Sequence, residues 1–206
     1  MIAIVDYGVG NLFSLRSSLS AIGREAAVTG DPNVLSRAEG IILPGVGAFG
    51  DAADKLRSTG LDRTLIALAK QGKPLMGICL GMQLLLENGT EYGLHPGLGL
   101  IPGQARPIGE TIREGMKIPH IGWNSLRFPA KKSPLFRYVN EGEYVYFVHS
   151  YHAVGCGESL AAVTDYGGTL TAAVEQGSVC GCQFHPEKSG GVGLRILRAF
   201  CEGAGT

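Results

Sequence analysis

Charge is scarce in this chain. Acidic and basic residues together fill 17% of its 206 positions. That is below the ~25% of an ordinary globular domain and argues for a well-buried fold. Eighteen residues of one sign balance eighteen of the other. The lysines and arginines form no tract, so the electrostatic footprint for duplex nucleic acid is missing. Long apolar runs are missing too; none approaches the ~20 residues of a membrane span. The opening Met1-Ile2-Ala3-Ile4-Val5-Asp6 is too brief, and lacks the basic flank, for a signal peptide. Cysteine is sparse and odd in number: Cys79, Cys156, Cys180, Cys182 and Cys201, without zinc-like pairing. This excludes a disulfide scaffold and fits a reducing, cytoplasmic setting. Repeats, low-complexity tracts and linkers are lacking, so one domain over 1–206 is expected.

Glycine, by contrast, is abundant: 32 residues, roughly twice the average share. The glycines follow no three-residue period and sit singly between apolar runs, as tight turns and close backbone approaches require. Over the first ninety residues, strand and helix signals alternate. Ile2 to Val5, Gly40 to Leu43 and Pro74 to Ile78 are short, wholly apolar runs, the pattern of strands buried on both faces. Ala26 to Val28 is a weaker strand signal. Asn11 can cap a helix carrying Leu12, Leu15, Leu19 and Ile22. Asp31-Pro32 opens another, helical stretches follow near 49–58 and 61–71, and Leu80 to Glu87 reads as the next helix. Such alternation predicts an α/β fold: a mostly parallel central sheet with helices on both faces. Ligands then bind beyond the carboxyl ends of the strands, where the loops Asp6–Asn11, Pro44–Gly50 and Cys79–Gly81 lie. The second half reads differently, with strand signals at 144–148, 160–164, 170–174 and 179–184 that suggest added antiparallel pairing, and a closing helix over 193–201.

Three stretches carry possible chemistry. Gly77-Ile78-Cys79-Leu80-Gly81 sets a cysteine between a strand and a helix, with glycine two residues to either side. This is the pattern of a nucleophile elbow, in which small neighbours let the backbone double back. The following helix aims its positive end at the sulfur and favours thiolate. A buried packing cysteine fits the same residues. In His185-Pro186-Glu187, the proline pushes His185 into an extended conformation. Glu187 then faces the same way as His185 and can hold one tautomer of the imidazole. A surface turn is the alternative. Pro44-Gly45-Val46-Gly47 follows a buried strand and can turn backbone N–H groups toward an oxyanion, or serve as an ordinary loop. Gln83, one helical turn beyond Cys79, can present an amide near the sulfur or simply face solvent. Cys180-Gly181-Cys182 reads as strand packing. His95, His120, His149 and His152 show no ligand spacing.

Residues 77–83 (Gly-Ile-Cys-Leu-Gly-Met-Gln), 185–187 and 44–47 together resemble the class I, triad-type glutamine amidotransferases, over nearly the whole chain. Asp6-Tyr7-Gly8-Val9-Gly10-Asn11-Leu12, Pro119-His120-Ile121-Gly122-Trp123-Asn124 and Phe147-Val148-His149-Ser150-Tyr151 narrow the resemblance to the glutaminase subunits of imidazole glycerol phosphate synthases. Anthranilate synthase relatives usually carry histidine at the place of Met82. The resemblance implies a flavodoxin-like fold and a Cys79, His185, Glu187 triad that hydrolyses glutamine to glutamate and ammonia. It implies an oxyanion hole from Gly45, Val46, Gly47 and Leu80, and glutamine binding by Gln83, Glu91, Ser150 and Tyr151. No cofactor and no metal are implied.

The resemblance further implies a heterodimer with a separate cyclase subunit of (β/α)₈-barrel type, a fold of ~250 residues that this chain is too short to contain. Asn11, Trp123, Tyr146 and Lys188 would face that partner. The partner would use the ammonia to make imidazole glycerol phosphate and an aminoimidazole carboxamide ribonucleotide. Neither nucleic acid nor membrane is an expected partner. Rival readings are a glutaminase subunit of another synthase, a silent flavodoxin-like scaffold, and a cysteine hydrolase of peptides or γ-glutamyl bonds.

Overall fold

The computed structural model describes residues 1–129 and 131–204. Its first half alternates strand and helix: β1 (Ile2–Val5), α1 (Leu12–Ala21), β2 (Ala26–Thr29), α2 (Pro32–Arg37), β3 (Gly40–Gly45), α3 (Phe49–Thr59), α4 (Leu61–Lys70), β4 (Leu75–Cys79) and α5 (Leu80–Leu84). The second half holds short strands: β5 (Asn88–Gly89), β6 (His95–Pro96), β7 (Gln104–Pro107), β8 (His120–Ser125), β9 (Tyr144–His149), β10 (Tyr151–Val154), β11 (Leu160–Asp165), β12 (Thr169–Gln176) and β13 (Val179–Cys182), before a final helix α6 (Gly190–Gly203). The central sheet has seven strands in the order β11-β12-β13-β4-β3-β1-β2. Pairing is parallel from β2 through β1, β3 and β4 to β13, and antiparallel from β13 to β12 and β11. The parallel strands follow the flavodoxin-like order.

Alternation along the strands divides the core. Ala3 and Val5 of β1 face one cluster with Leu35, Leu56 and Leu65 from α2, α3 and α4. Ile2 and Ile4 face the other, with Leu15 and Leu19 of α1 and Ile196, Leu197 and Phe200 of α6. The sheet is therefore covered on both sides, as the apolar strand runs require. Asn11 caps α1 by accepting the Ser14 N–H, and Asp31 caps α2 by accepting that of Asn33. Among the described residues, no helix is long and apolar enough to cross a membrane.

Three expectations need correction. The strand expected to stop at Leu43 continues pairing through Pro44 and Gly45, opposite Ile78 and Cys79. The helix expected over 80–87 ends at Leu84. The carbonyls of Leu84, Leu85, Leu86 and Glu87 are taken by backbone N–H groups of residues 97–101, so the next helical turn loses its acceptors. The antiparallel expectation holds for β11 and β12, whereas β13 is antiparallel to β12 but parallel to β4.

Candidate active site

Cys79 ends β4 and caps α5, with φ 55° and ψ −112°. A non-glycine residue in that region is strained and persists only where its surroundings enforce it. Here the enforcement is steric. A Cβ on Gly81 would lie 1.9 Å from the Leu43 carbonyl oxygen, and one on Gly77 would lie 2.6 Å from that of Gly81. Strand, elbow and helix thus pack backbone to backbone and hold the thiol at the carboxyl edge of the sheet.

His185 arrives there from the strand edge beyond β13. Its φ of −101° and ψ of 100° are extended, as expected before proline. Its Nδ1 lies 2.8 Å from Glu187 Oε1, with both side chains 4% exposed. The other ring nitrogen, Nε2, is left free of Glu187, and the imidazole lines the same cleft as Cys79. The backbone of His185 is clamped as well: its N–H donates to the Tyr146 carbonyl, and Ser189 Oγ donates to its own carbonyl while accepting the Tyr146 N–H. Burial pushes His185 toward the neutral form, but its bonds to Cys79 and Glu187 and their charges outweigh that and raise its pKa to about 9.

Cys79 opens onto a cleft of about 320 Å³, within the range that holds a small polar metabolite. The structure brings most of the predicted residues to it. Val46, Gly47 and Leu80 line it near the sulfur, and Gln83, Glu91, Ser150, Tyr151 and Lys188 complete the walls. Glu91 Oε2 accepts the Phe49 N–H at 2.8 Å, tying the cleft to the start of α3. Gly45 lies behind, in a small recess it shares with Asn11, Val46, His185 and Glu187. Trp123 and Tyr146 meet edge to face at 5.9 Å, and Lys188 Nζ sits 5.9 Å from the Tyr146 ring centroid. Asn11 is not part of that aromatic group. The loop at the exit of β3 is pinned by a residue not singled out from sequence: buried Tyr7 donates its hydroxyl to the Pro44 carbonyl at 2.8 Å.

Gln183 was also missed. It is fully buried and its Nε2 lies 3.7 Å from Cys79 Sγ. Its position two residues before His185 was the available signal, although the chain there bends at Gln183 and Phe184 after β13 ends. The histidines His120 and His149, which showed no relation by spacing, are bonded at 3.0 Å. His149 Nδ1 donates to the Tyr151 carbonyl, so its Nε2 accepts from His120 Nδ1, and His120 Nε2 faces the Asn124 amide; burial lowers the pKa of both rings, which favours their neutral forms.

These histidines give stability a pH dependence. Burial lowers His149 to about 3, with its bond to the Tyr151 carbonyl opposing and nearby His120, His152 and His185 assisting. Burial likewise lowers His152 to about 4. Against the ordinary 6.5, their stabilisation is complete above that pH and is lost as pH falls toward 3–4. His185, raised to about 9, does the reverse: its contribution is complete below 6.5 and is lost as pH rises to 9. The buried thiols Cys156 and Cys201, raised by burial to about 11 from 9, add to the alkaline loss above 9. Thermal midpoints measured from about pH 4 to about pH 10 are expected to peak near 6.5. A midpoint that climbs steadily across the range would contradict these assignments.

Comparison with known proteins places the chain in a family. The sequence model described as glutamine amidotransferase class-I matches residues 3–203. The imidazole glycerol phosphate synthase subunit HisH of Wolinella succinogenes is 48% identical over 204 residues, covering 98% of this chain and 99% of its own. That of Geobacter sulfurreducens is 46% identical over 205 residues, covering 98% of each. A crystal structure of a glutamine amidotransferase, 22% identical, superposes over 100% of both chains with a TM-score of 0.77. This last likeness concerns the fold alone. The chain belongs to the class I glutamine amidotransferase family and, within it, groups with the HisH subunits of imidazole glycerol phosphate synthase.

Proposed function

We propose that this chain is the glutaminase subunit of an imidazole glycerol phosphate synthase of histidine biosynthesis, that residues 1–206 act as one amidotransferase domain, and that Cys79, His185 and Glu187 are its catalytic residues. The observation that carries the reading is the buried Glu187 Oε1–His185 Nδ1 bond at 2.8 Å, which leaves the other face of the imidazole in the same cleft as Cys79. The Cys79 sulfur adds to the side-chain carbonyl carbon of glutamine while the thiol proton rests on His185 Nε2. The carbonyl oxygen takes negative charge next to Val46, Gly47 and Leu80, with Gly45 anchoring the loop behind them. His185 then returns its proton to the departing nitrogen, and ammonia leaves. Water, deprotonated by the same imidazole, hydrolyses the thioester and frees the sulfur. Glu187 keeps the ring in the tautomer this exchange needs.

The polar ends of glutamine fall to Gln83, Glu91, Ser150 and Tyr151. Gln83 Nε2 is already committed, to the Tyr151 carbonyl at 3.1 Å and to Gln183 at 3.0 Å, so Oε1 is the atom it offers a ligand. The partner is a separate cyclase of (β/α)₈-barrel type, which docks on the rim at Trp123, Tyr146 and Lys188, with Asn11 beyond the recess. Trp123 is 52% exposed, a large aromatic surface to leave bare without a partner. Ammonia passes to the cyclase without meeting bulk water, where protonation would end its nucleophilicity. The setting is cytoplasmic.

The test is partner dependence. Glutamine hydrolysis is measured for the chain alone, then with the cyclase subunit and its nucleotide substrate. Low turnover alone is expected, because Val46 places a side chain where the oxyanion loop must turn. Stimulation of about a hundredfold or more is expected once the loop is aligned, the scale of one oxyanion-hole donor. Equal turnover with and without the partner, or stimulation only by a different synthase, would overturn the proposal.

A further inference from the structure

Resting on the proposal that Cys79 is the nucleophile, we infer that Gln183 is a further catalytic residue, whose amide N–H bears on the reacting sulfur and stabilises its negative charge.

The argument is one of donors and acceptors. Three contacts run in series: Gln83 Nε2 to the Tyr151 carbonyl at 3.1 Å, Gln83 Nε2 to Gln183 Oε1 at 3.0 Å, and Gln183 Nε2 to Cys79 Sγ at 3.7 Å. A backbone carbonyl can only accept. It therefore fixes the Gln83 amide with its nitrogen toward Tyr151, and that nitrogen also faces Gln183. Gln183 must answer with its oxygen, which turns its own nitrogen to the sulfur. Reversing either amide sets two acceptors or two donors against each other in a place without solvent, since Gln183 is 0% exposed and Gln83 only 5%. The backbone N–H of Gln183 is held by the Ala172 carbonyl of β12 at 2.8 Å, so the side chain starts from a fixed point on the sheet. Links in such a chain polarise one another.

The sulfur thus meets the Gln183 amide and shares its cleft with the imidazole of His185, two residues further along the chain. Its other polar neighbour is the Val148 carbonyl at 3.9 Å, an acceptor that serves the thiol and not the thiolate. Negative sulfur occurs twice in the proposed reaction. It is present when the C–S bond begins to form and the carbonyl electron pair moves to oxygen. It returns when the thioester C–S bond breaks and sulfur departs with the bonding pair. A buried N–H aimed at that atom lowers both barriers without touching glutamine, so it should change turnover and leave substrate affinity alone.

The experiment compares wild type with Gln183→Met, which has no donor, and Gln183→Glu, which keeps an oxygen for Gln83 and replaces the donor by an anion. Alkylation of Cys79 by iodoacetamide is followed across pH by peptide mapping, and kcat and KM for glutamine are measured in the complex with the cyclase. Thermal melts identify any variant that fails to fold. For a folded variant, alkylation near neutral pH is expected to slow roughly tenfold or more, with kcat falling on the same scale and KM within about twofold. The half-maximal pH of the alkylation profile should move upward, further for Glu than for Met. A merely structural role would leave that profile in place. Two folded variants with unchanged pH profiles would overturn the inference while the function stands. A wild-type complex without glutamine hydrolysis would remove the function, and the inference with it.

Discussion

Cys79→Ala is expected to lower glutamine-dependent synthesis by the complex by at least about a thousandfold while leaving the fold intact. The loss follows from the site. Among the described side chains lining the cleft, Cys79 is the cysteine, and the imidazole, the Gln183 amide and the Val148 carbonyl all converge on its sulfur. Without it, the acyl-enzyme of the proposed mechanism has no sulfur on which to form. The intact fold follows from the same geometry: Cys79 is 8% exposed and small, and alanine keeps the Cβ for which the elbow at φ 55° already has room. The thermal midpoint should therefore move by only a few degrees. The decisive readout is a change of nitrogen source. Ammonium salts at alkaline pH should still drive synthesis in the partner at close to the wild-type rate. His185→Gln should resemble Cys79→Ala, and the double variant should be little worse than either single one, because the two groups act as a unit. Surviving glutamine-driven synthesis in Cys79→Ala would place the nucleophile elsewhere.

Much of this site is legible in the sequence because its parts are local. His185, Pro186 and Glu187 carry part of their own geometry: proline imposes the extended backbone at His185, but the expected extended run ends there, and Glu187 reaches the imidazole at 2.8 Å from a single 3₁₀ turn over Pro186–Lys188. The glycines at 77 and 81 announce the elbow for a similar reason, since nothing larger fits where backbone meets backbone. The central strands β1, β3 and β4 are legible from their unbroken apolar runs, every residue buried.

What escapes the sequence depends on contacts between distant segments. Leu84, Leu85 and Leu86 look like continuing helix, and only the arrival of residues 97–101 to claim their carbonyls ends it. Asn88–Gly89 and His95–Pro96 have no β signature, yet they pair in a four-stranded sheet with β7 and β10. The Gln183 amide gains its role from Gln83 and the Tyr151 carbonyl, and no spacing rule links these three. The strong strand signal of β9 is real, but among the described residues it pairs with β8 in a two-stranded sheet, outside the central one.

Gly81→Ala is expected to be the most damaging single methyl group in the elbow. The added Cβ would stand 1.9 Å from the Leu43 oxygen, 2.9 Å from its carbon and 3.2 Å from the Pro44 carbonyl carbon. All three are backbone atoms of β3, so no side-chain rotation relieves the clash. Either α5 must rise off the sheet or β3 must shift, and the pairs Leu43↔Gly77 and Gly45↔Cys79 stand in the way. Overpacking of this kind costs about 3 kcal/mol or more, a large part of a stability that typically totals about 5–15 kcal/mol. A chain of this size should then lose roughly 10 °C in thermal midpoint. Gly60→Ala supplies the control. Gly60 is in the left-handed region at φ +74°, with nothing within 4 Å of a Cβ, so alanine there costs only the conformational strain of about 1 kcal/mol, or a few degrees. Activity separates the two further. Any relaxation that makes room for the methyl group in Gly81→Ala displaces Leu80 or the loop at 45–47, both of which border the sulfur. The surviving folded fraction of Gly81→Ala should hydrolyse glutamine poorly even when saturated with partner, whereas Gly60→Ala should retain wild-type turnover per folded molecule. Equal midpoints and equal turnover for the two variants would mean that the close approach of α5 to β3 does not set the position of the nucleophile.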